Sequence, residues 1–264
     1  MEKQQLNSVV SELQTFEPIT LAEMDGVSLM NRTDTKFVFE AKLLPEILKA
    51  VQPFYKSLEI KGKRFADYKT DYFDTSDFYM FTAHQNGKQN RYKVRYREYV
   101  GSDLSFLEVK FKNNKGKTLK SRIKSWVDLD NFDSIDTEFL NQKTPFEVDN
   151  LIHILTNSFS RITLVSKTDK ERLTIDFSLG FAKGEIDKRL DNLVIAEVKQ
   201  EKVNRSSKVM QVLKDNGIRQ ASFSKYASGA TLLNSQLKYN KFKSNMLYLN
   251  KIHQDHGNIW NGNS

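Results

Sequence analysis

Arg91-Tyr-Lys-Val-Arg-Tyr-Arg-Glu-Tyr99 is the stretch on which the fold turns. Successive side chains of an extended strand point to opposite faces, so Arg91, Lys93, Arg95 and Arg97 share one face and Tyr92, Val94 and Tyr96 the other. The pattern continues outward. Glu108, Lys110 and Lys112 alternate against Leu107, Val109 and Phe111, and Lys120, Arg122 and Lys124 follow. Farther on, Glu197, Lys199 and Glu201 alternate against Val194, Ala196 and Val198. Gly101-Ser-Asp103 and Asn113-Asn-Lys-Gly116 supply turns, which predicts an antiparallel meander with strands near 90–100, 104–112 and 117–128. A sheet must bury its apolar face, so the charged faces are expected to look into water and to line one wet surface suited to a polyanion.

Around this meander, Leu6, Val9, Val10, Leu13 and Phe16 recur at helical spacing before Pro18, and a second helix is expected over 20–30. The segments 33–40 and 67–73 read as strands, and 43–51 as a helix ended by Pro53. Asp74-Thr-Ser-Asp77 offers oxygen side chains to free amides at a helix start. Pro145 with Val148, Leu151, Ile152 and Leu155 predicts a helix after the acidic stretch 128–138. Strands are expected at 161–168, 171–178, 182–188 and 192–201, then helices at 206–216, closed by Gly217, and 223–233. The division expected is a single domain over 1–234, with a helical segment at 1–30, and a polar tail over 235–264 that is weakly ordered or a docking arm.

The chain has 264 residues, 28% of them charged, and 18 Phe with 10 Tyr, which is enough apolar area for a sizeable core. Its formal charge of +8 favours an anionic partner. Without cysteine there is no disulfide and no thiolate metal site. No leader and no transmembrane run are visible, so a cytoplasmic location is expected.

Gly116-Lys117-Thr118 is not a phosphate loop, because that motif needs a glycine where Phe111 stands. His84, His153, His253 and His256 follow no metal-ligand spacing, and no nucleophile elbow is present. Basic strands stacked side by side repel one another unless an anion neutralises them. Single-stranded nucleic-acid binders place stacking aromatics among their basic groups, whereas Tyr92, Tyr96 and Phe111 lie on the opposite face, Tyr99 and Trp126 being exceptions. Short polyphosphates fit better, and no specific nucleic acid is expected. A glutamate among cations repels phosphate unless a divalent ion bridges them, so Glu197 and Glu108 are candidate ligands for Mg2+ or Mn2+; a structural Glu–Lys ladder is the competing account.

Taken together, Arg32-Thr-Asp-Thr-Lys36-Phe, Asp71-Tyr-Phe-Asp74, Lys93-Val-Arg-Tyr-Arg97, Leu107-Glu-Val-Lys110, Ile195-Ala-Glu-Val-Lys199 and Ser222-Phe-Ser-Lys225-Tyr226, with Arg161 and Arg172, span about residues 25–233. In their order and spacing they resemble the catalytic domain of the VTC family of polyphosphate polymerases, within the triphosphate tunnel metalloenzyme superfamily. The resemblance implies an α+β fold, an antiparallel eight-stranded barrel forming a tunnel with helices outside. It implies transfer of the terminal phosphate of ATP, or another nucleoside triphosphate, to a polyphosphate chain with Mn2+ or Mg2+. By the same resemblance Lys36, Arg95, Arg97, Lys110, Arg161, Arg172 and Lys225 would act on the phosphates. Lys93, Lys112, Arg122, Lys124, Lys199 and Tyr226 would bind substrate, and Glu197 would hold the metal. Eukaryotic relatives add a phosphate-sensor module and membrane helices; neither is seen here, so any membrane coupling is expected from a separate protein. Barrel relatives that hydrolyse triphosphates or cyclise nucleotides carry Glu-x-Glu-x-Lys, which Arg32-x-Asp34-x-Lys36 replaces; this favours polymerase over triphosphatase, and a non-catalytic polyphosphate-binding module is the third alternative.

Overall fold

The computed structural model describes residues 1, 3–25, 32–126 and 128–253. Among them run eleven strands: β1 (Glu17–Ile19), β2 (Thr33–Glu40), β3 (Tyr55–Leu58), β4 (Phe65–Thr75), β5 (Arg91–Tyr99), β6 (Leu104–Lys112), β7 (Thr118–Lys124), β8 (Leu151–Ser166), β9 (Glu171–Lys183), β10 (Ile186–Leu190) and β11 (Leu193–Gln200). The helices are α1 (Lys3–Gln14), α2 (Leu21–Asp25), α3 (Leu44–Val51), α4 (Tyr79–Gln85), α5 (Ser134–Lys143), α6 (Lys208–Asp215), α7 (Lys225–Leu233) and α8 (Lys243–His253). Of the helix expected over 20–30, residues 26–30 lie outside the described residues.

The strands form one sheet in the hydrogen-bonded order β2-β11-β9-β8-β4-β5-β6-β7, with β1, β3 and β10 attached beside this path. The pairs β2–β11, β9–β11, β3–β8, β4–β5, β5–β6 and β6–β7 are antiparallel, and β1 pairs with β3 in parallel. An antiparallel sheet with flanking helices therefore stands, but the eight-stranded closed barrel does not. The sheet has eleven strands, and among the described residues its end strands β2 and β7 do not pair with each other.

The chain divides into two compact units, each assembled from separated segments. The first comprises Met1–Asp67, Phe159–Leu179 and Leu190–Phe223. In α3, Leu44, Ile47, Leu48 and Val51 recur at helical spacing and are all buried, because that spacing places them on one stripe. They join Val9 and Leu13 of α1, Val209 and Leu213 of α6, and one face of the sheet: Phe37 and Phe39 of β2, Val194, Ala196 and Val198 of β11, Leu173 and Ile175 of β9. The alternate positions of those strands carry the polar groups of this unit.

The second comprises Tyr68–Ser158, Gly180–Arg189 and Ser224–Ser264. Here Phe73, Val94, Tyr96, Leu107 and Val109 form the apolar sheet face and α5 covers it with Phe139 and Leu140. Gly229 lets α7 approach closely, since a Cβ there would meet the Phe181 ring at 2.4 Å. Residues 235–253, expected as part of a weakly ordered tail or docking arm, include α8, whose Met246, Leu249 and Ile252 are buried.

One element was misassigned by spacing. Residues 148–155 are a short 3-10 turn and then the start of the 16-residue strand β8. Leu151, Ile154 and Leu155 are all buried, so apolar residues occur at both strand parities and imitate a helical repeat. The helix lies earlier, at α5, which begins in the acidic stretch, where the Asp133 carboxylate caps it by accepting from the Asp136 amide at 2.8 Å.

Candidate functional site

Strand register in the second unit converts the alternation of β5, β6 and β7 into rows. Lys93, Lys110 and Lys120 stand side by side; the next row is Arg95, Glu108 and Arg122; the next, Arg97, Phe106 and Lys124. At the other end Arg91 pairs with Lys112. Glu108 is thus the one carboxylate that β5, β6 and β7 place on this face.

The rows are solvent-washed only along β7, where Lys120, Arg122 and Lys124 are exposed; on β5 and β6 they sink from the wet surface that sheet burial predicts. Arg95 is 7%, Arg97 8% and Glu108 0% exposed. Burying charge is costly unless it is paired, and the pairing is visible. Arg95 donates to Glu108 Oε2 from Nε at 2.7 Å and from Nη2 at 2.5 Å, and Lys120 Nζ lies 2.5 Å from Oε1. Burial acts to raise the Glu108 carboxyl, but Arg95, Arg97 and Lys120 outweigh it and hold it well below the usual carboxylate range. The Lys110 ammonium is pushed the other way, well below an ordinary lysine, by Arg95 first, then by burial and Arg97. Burial likewise lowers Lys120, against the pull of Glu108. Such a face holds more positive charge than its own carboxylate can balance, which is the electrostatic form of an anion site.

The α7 end of this unit is fastened to the same face. Ser224 caps α7 by accepting from the Ala227 amide, and Lys93 Nζ donates to the same hydroxyl at 3.0 Å. Asp74 accepts from the amides of Thr75, Met80 and Phe81 and from the Tyr226 hydroxyl, capping α4 and tying α7 to β4. Tyr226 is 2% exposed and stacks on Tyr72. Its hydroxyl donates to Asp74, so this side chain, expected to bind substrate, also ties α7 to β4. Lys225, beside it at the start of α7, is half-buried, and Arg122 and Lys124 on β7 are exposed.

In the first unit the polar face mixes signs. Glu197 is flanked by Lys36 on β2 and Thr174 on β9, and Lys199 by Asp34 and Arg172. Lys36 Nζ sits 3.1 Å from Glu197 Oε1 and Lys199 Nζ 2.7 Å from Oε2. Burial opposes ionisation of Glu197, yet Lys199 and Lys36 hold the carboxyl well below its usual range. Arg161 makes a two-pronged contact with Asp176, Nε to Oδ1 at 2.5 Å and Nη2 to Oδ2 at 2.8 Å.

A hard divalent ion wants several oxygen ligands. Among the described residues no group of three or more His, Asp or Glu could hold one. Glu108 and Glu197 belong to different compact units and each carboxylate is already held by two cations. An all-protein cage does not fit. Glu197 fits as a lone carboxylate ligand whose remaining partners are phosphate oxygens and water, the way Mg2+ is commonly held. Glu108, with no exposed surface, fits a positioning role toward Arg95 better.

Residues 31–234 match the VTC domain, and the chain belongs to that family, whose domain has the triphosphate tunnel metalloenzyme-like fold. Similar solved structures include a Hippeastrum protein with a dominant triphosphatase activity (14% identity, 76% of this chain and 96% of that one, TM-score 0.49). A Bacillus halodurans protein named as a candidate adenylate cyclase is 15% identical over 75% of this chain and 98% of its own, TM-score 0.44. The PH1819 protein of Pyrococcus horikoshii is 13% identical over 77% and 99%, TM-score 0.43. At such scores these likenesses carry no weight beside the family match. No curated protein matches the chain. Among the described residues no helix is long and apolar enough to cross a membrane.

Proposed function

We propose that the chain is a metal-dependent polyphosphate polymerase. The observation that carries the reading is the pair of adjacent rows Lys93–Lys110–Lys120 and Arg95–Glu108–Arg122: charge in excess of what Glu108 can compensate, on a rigid sheet, at the spacing of successive strands. Phosphoryl transfer demands little covalent chemistry of a protein and much positioning and charge neutralisation, which is what such a face supplies. Family membership supports the same substrate class.

In this reading a terminal oxygen of the polyphosphate chain attacks the γ-phosphorus of ATP, the bond from that phosphorus to the β,γ-bridging oxygen breaks, and ADP leaves. Arg95 and Arg97 orient phosphate oxygens through their planar donors, Lys93, Lys110 and Lys112 neutralise charge along the chain, and Lys225 adds a cation at the α7 end. On the polar face of the first unit, Lys36, Arg161, Arg172 and Lys199 would bind phosphate in their own right, and Glu197 would hold the divalent ion. That ion would neutralise phosphate oxygens and act as a Lewis acid. Arg122 and Lys124 would receive the growing chain. The cellular setting proposed is cytoplasmic, with any membrane partner a separate protein. The protein incubated with ATP and Mn2+ should yield a ladder of long polyphosphate on a polyacrylamide gel, with ADP. ADP with orthophosphate and no polyphosphate would make it a triphosphatase; no turnover of ATP would leave a binding module.

A further inference from the structure

The cationic face of the second unit ends in aromatic rings. Tyr68 and Tyr99 face each other across β4 and β5 with ring centroids 4.9 Å apart and planes tilted by 53°. Phe106, in the neighbouring row, lies 6.1 Å from Tyr99 at 80°. Register puts all three on the side of the sheet that carries Arg95 and Arg97, the side from which Tyr92, Tyr96 and Phe111 are absent. Two guanidiniums bracket the group: Arg97 is 5.6 Å from the Tyr68 centroid and Arg122 4.5 Å from that of Phe106.

These rings differ from the other aromatic pair of this face. Tyr72 and Tyr226 are 4% and 2% exposed, a core contact. Tyr68, Tyr99 and Phe106 are half-buried, and the same row continues into exposed Leu104. Half-open rings edged by guanidiniums are what a nucleobase stacks on, because every base offers a π-face and the cations tolerate its electron-rich edges. Tyr99 lies two residues from Arg97 and four from Arg95, about 7 and 13 Å along a strand. That is the order of the span from base to terminal phosphoryl group in an extended nucleoside triphosphate.

We infer that Tyr68, Tyr99 and Phe106 form a nucleobase platform that seats the base of a nucleoside triphosphate and directs its terminal phosphate toward Arg95 and Lys93. This rests on the phosphate-binding reading above and adds to it an orientation for the donor nucleotide. The same rings would give a bare phosphate chain nothing to stack on.

The test is calorimetric binding of ATP and of tripolyphosphate in one magnesium-containing buffer. Tyr99→Ala should weaken ATP by about tenfold or more while tripolyphosphate stays within about twofold, and Tyr99→Phe should keep ATP affinity. The unaltered protein gives a second reading that needs no variant: the fluorescence of 2-aminopurine riboside triphosphate should be quenched on binding. Equal loss of both ligands in Tyr99→Ala, or no loss of ATP, overturns the platform, as does unquenched fluorescence on binding. Tripolyphosphate binding would still stand in those cases. If the unaltered protein binds neither ligand, the phosphate reading itself falls and the platform with it.

Discussion

Arg95 and Glu108 face each other across β5 and β6, the guanidinium donating from Nε at 2.7 Å to a carboxylate that is 0% exposed. The pair sets the geometry of the face around it. Glu108 is the counter-charge that allows Arg95, Lys110 and Lys120 to be brought together before any substrate arrives.

Removing that counter-charge should therefore cost stability that an external anion restores. Glu108→Gln leaves Arg95 and Lys120 without their buried partner and should destabilise the protein by about 3 kcal/mol. Tripolyphosphate, binding the folded state alone, should raise the melting temperature of Glu108→Gln by more than that of the unaltered protein. Thermal unfolding of both proteins with and without the ligand measures this. An equal shift in both would separate Glu108 from the anion site.

The lowered Lys110 ammonium makes binding pH-dependent. Between its depressed folded value and the ordinary lysine value of about 10.4, the unfolded chain binds a proton that the folded chain lacks, so this group makes stability rise with pH in that window. A phosphate chain favours the charged form, so binding takes up a proton there and weakens as pH rises. Tripolyphosphate affinity followed over about pH 6 to 9 should fall more steeply for the unaltered protein than for Lys110→Arg, which stays charged. The ligand's own titration cancels in that comparison, and parallel profiles would contradict it.

Glu197 and Glu108 work in the opposite sense. Their folded carboxyls lie below the usual range, so the stability they contribute is present at neutral pH and is lost as pH falls below about 4 toward those lower values. Glu197→Gln should remove this contribution in the first unit, lowering the melting temperature at pH 7, and should abolish metal-dependent turnover at temperatures where the variant is still folded. Undiminished turnover would take Glu197 out of the site.

Asp74 is 0% exposed and accepts from three amides and one hydroxyl. Asp74→Ala should cost about 3 kcal/mol or more, combining a lost helix cap with orphaned buried donors, and Tyr226→Phe about 1 kcal/mol. Denaturant unfolding compares them. If Tyr226→Phe retains stability but loses phosphate affinity, the tyrosine is a ligand after all.

Much of the candidate site is legible in the sequence because period-two alternation survives wherever one sheet face is apolar. Arg91 to Arg97, Glu108 to Lys112 and Lys120 to Lys124 all fall on the face their spacing assigns. The start of β8 is illegible for the converse reason: Leu151, Ile154 and Leu155 are buried together and the alternation disappears. The burial of Arg95 and Glu108 is equally hidden, since what covers a charged face is decided by contacts far apart in sequence. Tyr99 stands out by parity alone, but Tyr68 and Phe106 join it only through the register of β4, β5 and β6.

The most direct test of the central claim is whether this sheet face holds a phosphate chain. Tripolyphosphate and a short oligonucleotide should be compared by thermal shift and calorimetry at low and at near-physiological salt. Tripolyphosphate should raise the melting temperature at both, and Arg95→Ala should weaken its binding by about tenfold, the loss of a charge-assisted two-donor contact. The oligonucleotide should bind weakly and lose affinity steeply with salt, since its attraction is chiefly to the net positive charge and a single base platform adds little to it. Strong, salt-resistant, sequence-dependent oligonucleotide binding, with tripolyphosphate leaving the melting temperature unchanged, would contradict the account.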